Sequence, residues 1–214
     1  MLVGERMSHH PITARQDIGI DEALKIMRDE KVRRLPVVNR RGLLVGIVSE
    51  KDLLLASPSP ATSLSIHELH YLLSRMKVAE VMTKEVITVT EYTSLEEAAC
   101  IMADNKISGL PVMRDGKLVG IITETDLFKI FIELLGAREG GVRITMLVPE
   151  QPGVLAQITG EIAGMGGNIV ALGTFLGQDP TNRLITIKVA DTDEKKLVAT
   201  MEAIGMELVD VRSS

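Results

Sequence analysis

Aromatic side chains are nearly absent from this chain: no Trp, two Tyr and three Phe in 214 residues. Base stacking, the usual route to single-stranded nucleic acid, has almost nothing to work with. Any core has to be aliphatic, with eleven Met residues as filler. A single cysteine, Cys100, excludes an intramolecular disulfide and a multi-cysteine metal site. It stands beside Ile101 and Met102 in a helical pattern and is expected to be a buried thiol. No uninterrupted apolar run approaches membrane-spanning length. Residues 1–6 lack the apolar core of a signal peptide, so a cytoplasmic protein without a membrane partner is expected. The net charge of −5 leaves no overall basic footprint for nucleic acid. The local pairs Arg33-Arg34 and Arg40-Arg41 would suit a single phosphate. No Ser-His-Asp order, nucleophile elbow or phosphate-binding Gly-Lys-Ser/Thr loop is visible, so catalysis is not expected. His67 and His70 flank Glu68 and Leu69 in a helical stretch, and His9-His10 lie far away in sequence; a zinc site needs further ligands, and none is expected.

What the chain does contain is a repeat. Residues 7–54 recur at 82–128 with about 20 identities in about 47 aligned positions. Met7 matches Met82, Ile12-Thr13 matches Ile87-Thr88, and Leu35-Pro36-Val37 matches Leu110-Pro111-Val112. After a one-residue deletion, Gly46 to Asp52 matches Gly120 to Asp126. Two such modules in one chain are expected to pack as a pseudo-dimer with two related clefts.

Each copy reads as a β-α-β-β-α unit. A short strand at Pro11–Thr13 or Val86–Thr88 precedes a helix with apolar positions at Ala23, Ile26 and Met27, or Leu95, Ala98, Ile101 and Met102. Ser94 and Glu97 have capping-box spacing. Pro36 and Pro111, lacking an amide donor, are placed at strand starts. The first copy spans 1–56 and the second 78–136. Between them, residues 57–77 form a Ser- and Pro-rich linker with an extra helix from Ser65, apolar at Leu69, Leu72, Leu73 and Met76. Residues 141–214 change pattern to β-α-β-β-α-β, the ferredoxin-like order, with both helices on one face of a four-stranded sheet. The other face needs a cover, and a second copy of the chain would supply one. The fold class is therefore α/β (α+β).

The sharpest chemical signal is Gly-Ile-(Val/Ile)-(Ser/Thr)-Glu-x-Asp, present twice. Two readings are open. In one, Gly46 and Gly120 let a ligand approach the backbone. Asp52 and Asp126 then accept hydrogen bonds from a vicinal diol such as ribose, with Ser49 and Thr123 beside them. In the other, Ser49 and Thr123 are helix N-caps and the aspartates favour the positive helix ends. The oxygens can serve both uses, because a carboxylate offers several lone pairs.

The repeated segments, with their Met7-Ser8 and Met82-Thr83 openings, resemble a pair of CBS motifs arranged as a Bateman module. That resemblance implies an adenine nucleotide as regulatory ligand, with no cofactor required. Carried over residue by residue, one site would be Ile12, Thr13, Leu35, Pro36, Ser49 and Asp52. The other would be Ile87, Thr88, Leu110, Pro111, Thr123 and Asp126. Arg33-Arg34 in the first copy stand where the second has Ser108-Gly109, so the two sites are expected to differ in phosphate preference. Residues 141–214 resemble an ACT domain through Glu150 to Leu155 and Gly166 to Ile169. The resemblance implies dimerisation and an amino-acid site near Gln151, Gly153, Val154, Leu155, Asn168 and Ile169. The order of domains is similar to that of the AcuB-type acetoin-utilisation proteins. The function implied is regulatory binding by a homodimer acting on a partner protein. The alternative is a ligand-independent scaffold.

Overall fold

The structure, a computed structural model, describes residues 1–56 and 75–213. The helix expected from Ser65, with His67 and His70, lies outside the described residues. The chain divides into two compact units, Met1–Leu127 and Phe128–Ser214.

In the first unit the opening copy runs α1 (Val3–Arg6), β1 (Ser8–His9), β2 (Ala14–Arg15), α2 (Ile20–Asp29), β3 (Arg34–Val38), β4 (Leu44–Ser49) and α3 (Glu50–Ala56). The second runs α4 (Val78–Val81), β5 (Val89–Thr90), α5 (Leu95–Asn105), β6 (Gly109–Arg114), β7 (Lys117–Thr123) and α6 (Glu124–Leu134). Pro11–Thr13 and Val86–Thr88, read as strands, are extended coil; the strands begin just after them, at Ala14 and Val89. Pro36 and Pro111 stand third in their strands, before the parallel partners begin to pair at Val37 and Val112. The 3.6-residue period of α2 turns Ile20, Ala23 and Met27 onto Leu35, Val37, Val48 and Leu53. In α5 the buried stripe is Leu95, Ala98 and Met102, capped by Ser94, whose Oγ accepts from Glu97 N at 3.1 Å. Cys100, two residues beyond Ala98, lies about 160° round the helix from it and is exposed, not buried as its neighbours implied.

The two copies do not fold side by side as separate blocks. The leading segment of each is laid on the sheet of the other. β1 pairs antiparallel with β7, Ser8 opposite Ile121, giving a sheet of order β1-β7-β6-β5. Val3 N and Gly4 N donate to Thr93 O and Glu91 O of the second copy. Reciprocally, Thr83 bridges Ile47 through two 2.9 Å bonds, and Val78 N and Ala79 N donate to Ile18 O and Gln16 O. Met76, Val78, Val81 and Met82 complete the first copy's core.

Gly46 and Gly120 serve this crossing. Each is the repeat counterpart of the other, and against each lies the methionine of the opposite copy. A Cβ on Gly46 would stand 2.9 Å from Met82 Cγ and 3.0 Å from Thr83 O; one on Gly120 would stand 3.0 Å from Met7 Cγ. The backbone approach expected there for a ligand is therefore occupied by protein.

In the second unit β8 (Val142–Pro149), α7 (Val154–Gly164), β9 (Asn168–Leu176), β10 (Asn182–Ala190), α8 (Glu194–Ala203) and β11 (Glu207–Ser213) follow the last part of α6. The sheet order is β11-β8-β10-β9, all antiparallel, as the ferredoxin-like order requires. Ile144 and Met146 of β8 and Ile185 and Ile187 of β10 pack on Ile158, Ile162, Leu197 and Met201 of the helices. On the opposite face Thr145 and Thr186 share a 3.0 Å hydroxyl bond, and the buried Lys188 donates to Gly136 O at 3.1 Å. The segment after α6 thus covers part of the face that the sequence left bare.

Gly46→Ala is expected to cost about 1–3 kcal/mol of unfolding free energy, the range for overpacking a filled site. Urea unfolding of Gly46→Ala, Met82→Ala and the double variant checks this. The glycine's cost should shrink when Met82 is already truncated; an unchanged cost would mean that Met82 is not what the glycine accommodates.

Candidate functional site

Each polar pair sits where a strand becomes a helix. β4 ends at Ser49 and α3 begins at Glu50; β7 ends at Thr123 and α6 begins at Glu124. Ser49 N and Oγ donate to Asp52 Oδ2 at 2.8 and 2.7 Å, and Asp52 N donates back to Ser49 Oγ at 3.2 Å. Thr123 N and Oγ1 donate to Asp126 Oδ2 at 3.1 and 2.7 Å. Ser49–Asp52 is therefore a reciprocal capping box, and Thr123–Asp126 makes the half of it in which the carboxylate takes the junction's amide. One carboxylate oxygen takes both bonds each time, so the cap fixes the carboxylate's orientation. Asp126 is the more enclosed, at 9% exposure.

Around Thr123 and Asp126 opens a cavity of about 600 Å³. The rest of its lining comes from the first copy: Ser8 to Ile12, which the crossing delivers, and Lys31 to Arg34 between α2 and the start of β3. The structure so regroups the residues read from the repeat. Ile12, Arg33 and Arg34 line this cavity with Thr123 and Asp126, although the main chain of Arg34 pairs with Ser49. Ile12 keeps an exposed apolar side chain there (38%), and its counterpart Ile87 is open to the same degree (39%). Leu35 and Leu110, read as pocket lining, are fully buried core residues. Lys31 and His9-His10, which line the cavity, were not read as site residues. The pairing of β1 with β7 brings His9 and His10 there, and sequence carries no signal for it.

Arg34 has the most particular setting. Its Nη2 donates to Ser108 Oγ, and its guanidinium lies over Gly109, where a Cβ would stand 2.7 Å from Nη1. Arg34 and Gly109 are repeat counterparts, so this side chain crosses between the copies at equivalent positions. Burial pulls the guanidinium below its ordinary pKa; Glu124 opposes this, Arg33 adds to it, and Asp126 also opposes it. It remains a cation at neutral pH.

A second cavity, of about 380 Å³, lies within the second unit. Gln151, Gly153, Val154 and Leu155 line it, with Thr174 and Arg183, whose Nε reaches Glu150 Oε2 at 2.6 Å. Gly153 takes φ +93°, which turns the chain into the start of α7. Asn168 and Ile169 are not at this cavity. They pair with Ala190 and Val189 at one end of the sheet, whereas Arg183 pairs with Val148 near the loop at the other end.

A model of the CBS domain matches residues 3–59 and 78–133. The chain belongs to the CBS-domain family. A TTHA0829-like ACT domain model matches residues 140–212. A CBS domain-containing protein of Dictyostelium discoideum is 34% identical over 136 residues, 63% of this chain and 94% of that protein. Among solved structures, the Vibrio cholerae AcuB protein, ascribed to acetoin utilization, matches with TM-score 0.53 and 34% identity, over 65% of this chain and 96% of that one. The CBS domain pair of protein MJ0100, in complex with 5′-methylthioadenosine and S-adenosyl-L-methionine, matches with TM-score 0.52 and 32% identity, over 65% of this chain and 98% of that one. No helix among the described residues is long and apolar enough to cross a membrane.

Thr123→Ala and Asp126→Ala are each expected to lower stability by about 1 kcal/mol, the usual value of a lost cap. Chemical denaturation reads it. The double variant should fall short of the sum, because the two side chains share the Oγ1–Oδ2 bond; full additivity would mean they do not act as a unit.

Proposed function

We propose that the CBS pair is a regulatory module that binds an adenine nucleotide in the cavity between Asp126 and the Lys31–Arg34 segment. The observation that carries this reading is the charge arrangement. A carboxylate oriented by its own cap shares the lining of a cavity of nucleotide size with Lys31, Arg33 and Arg34. The carboxylate suits a ribose diol. The two arginines and the lysine suit a phosphate, the arginines by a two-pronged fork. Ile12 offers an exposed apolar surface to a purine face. The adenosine compounds bound by the MJ0100 pair support the same ligand class.

The ACT domain is read as the dimerising element. Its cavity at Gln151 to Leu155 would take an amino-acid carboxylate on the opening amides of α7, with Arg183 at hand. Asn168 would serve such a ligand only from elsewhere than this cavity. The whole is a non-catalytic cytoplasmic homodimer that passes a change of packing to a partner protein. A ligand does this only by binding two arrangements unequally. One observation favours the scaffold alternative: capping alone accounts for every bond described at Ser49–Asp52.

Calorimetric titration of ligand-stripped protein with AMP, ADP, ATP, NAD and S-adenosylmethionine separates the two. Binding of at least one phosphate-bearing ligand is expected, weakened about tenfold or more by Asp126→Ala, as for the loss of hydrogen bonds to a charged group. Asp52→Ala should leave this cavity's affinity in place. No binding by the folded wild type would leave the scaffold reading.

A further inference from the structure

We infer that Arg34 is a two-position switch: one position holds the Ser108 hydroxyl, as seen here, and the other holds a ligand's phosphate. The inference rests on the nucleotide reading of the same cavity and adds its mechanism of signalling. Three observations point to it. First, Arg34 lines the cavity and yet its Nη2 donates to Ser108 Oγ, a neutral acceptor. Second, its main chain and its guanidinium belong to different halves of the module. Arg34 stands opposite Ser49 in the β3–β4 ladder, while the Gly109 beneath its side chain stands opposite Thr123 in the β6–β7 ladder. One side chain therefore joins the strand stations of both capped pairs. Third, the fit depends on glycine: a Cβ at 109 would meet Nη1 at 2.7 Å and Cδ at 2.9 Å. The guanidinium has a seat on the second copy that another residue at 109 would close.

A guanidinium–phosphate pair joins opposite charges and can be two-pronged, whereas Ser108 offers the guanidinium one neutral oxygen. A phosphate within reach therefore outcompetes Ser108 for the fork. Glu124 and Asp126, whose charges act on Arg34, both line the cavity that the phosphate would enter. Departure of the guanidinium removes a contact between the copies, so a phosphate-bearing ligand changes their mutual packing and its dephosphorylated form does not. No bond is made or broken apart from hydrogen bonds.

The competition has a sign that simple positioning lacks. If Ser108 competes with phosphate, Ser108→Ala frees the guanidinium and tightens AMP binding. If Ser108 only steers Arg34 toward the ligand, the same change weakens it. The experiment is calorimetric titration of the full chain with AMP and with adenosine, on wild type, Ser108→Ala and Arg34→Ala, with thermal melting to confirm folding. The ratio of AMP to adenosine affinity should rise about threefold or more in Ser108→Ala, as for one neutral hydrogen bond removed. It should fall about tenfold in Arg34→Ala. An unchanged or lower ratio in Ser108→Ala overturns the switch and leaves the nucleotide site standing. Equal binding of AMP and adenosine by the wild type does the same. Failure of the wild type to bind either ends both readings.

Discussion

The crossing of the leading segments is the constraint on which the CBS pair depends. Residues Val3 to His9 complete the sheet of the second copy, and Val78 to Thr83 complete the core and ladder of the first. Neither copy buries its apolar residues or pairs its edge strand without the other. The seat for each crossing segment is a glycine, Gly120 for Met7 and Gly46 for Met82. Close packing explains the choice, since an interior already filled to crystal density has no room for a further carbon. The crossing also decides where a ligand can go. Because Ser8 to Ile12 lie against β7, the cavity beside Asp126 has walls from both copies. Anything bound in it touches both halves of the module at once.

The polar pairs show how one group can meet a structural and a chemical demand. The strand–helix junction leaves free amides, and the pairs satisfy Ser49 N, Asp52 N and Thr123 N locally. The cap fixes the carboxylate's direction at no further conformational cost to a ligand. A carboxylate held by its own backbone is a more exact receptor than one on a free rotor. The cap and ligand readings of this motif are thus compatible, and the cap is the one the hydrogen bonds display.

Much of the fold was legible because it is written locally. The periodicity of Ala23, Ile26 and Met27, the alternation along Val142 to Val148, and the Ser94–Glu97 spacing each depend on near neighbours in sequence. What escaped was non-local. Gly120 reads as an open backbone until Met7, more than a hundred residues earlier, is seen to fill it. Arg34 was assigned to its own copy because sequence cannot show a side chain reaching Ser108. Asn168 was grouped with Gln151 as part of one family pattern, but the antiparallel sheet carries them to opposite ends. Cys100 was read from its neighbours' polarity when the phase of the helix stripe was the better guide.

The contact between Arg34 and Ser108-Gly109 has a consequence for how such a chain can arise. Segments that cross between equal halves describe a swapped homodimer of single repeats, with the same residue at both equivalent positions. In that assembly an arginine at position 34 would face another arginine across the axis, and a glycine would face a glycine. Neither arrangement offers a cation with a seat opposite it. Joining the two repeats in one gene is what allows the positions to diverge. The covalent connection thus does more than hold the halves together: it permits a contact that symmetry forbids.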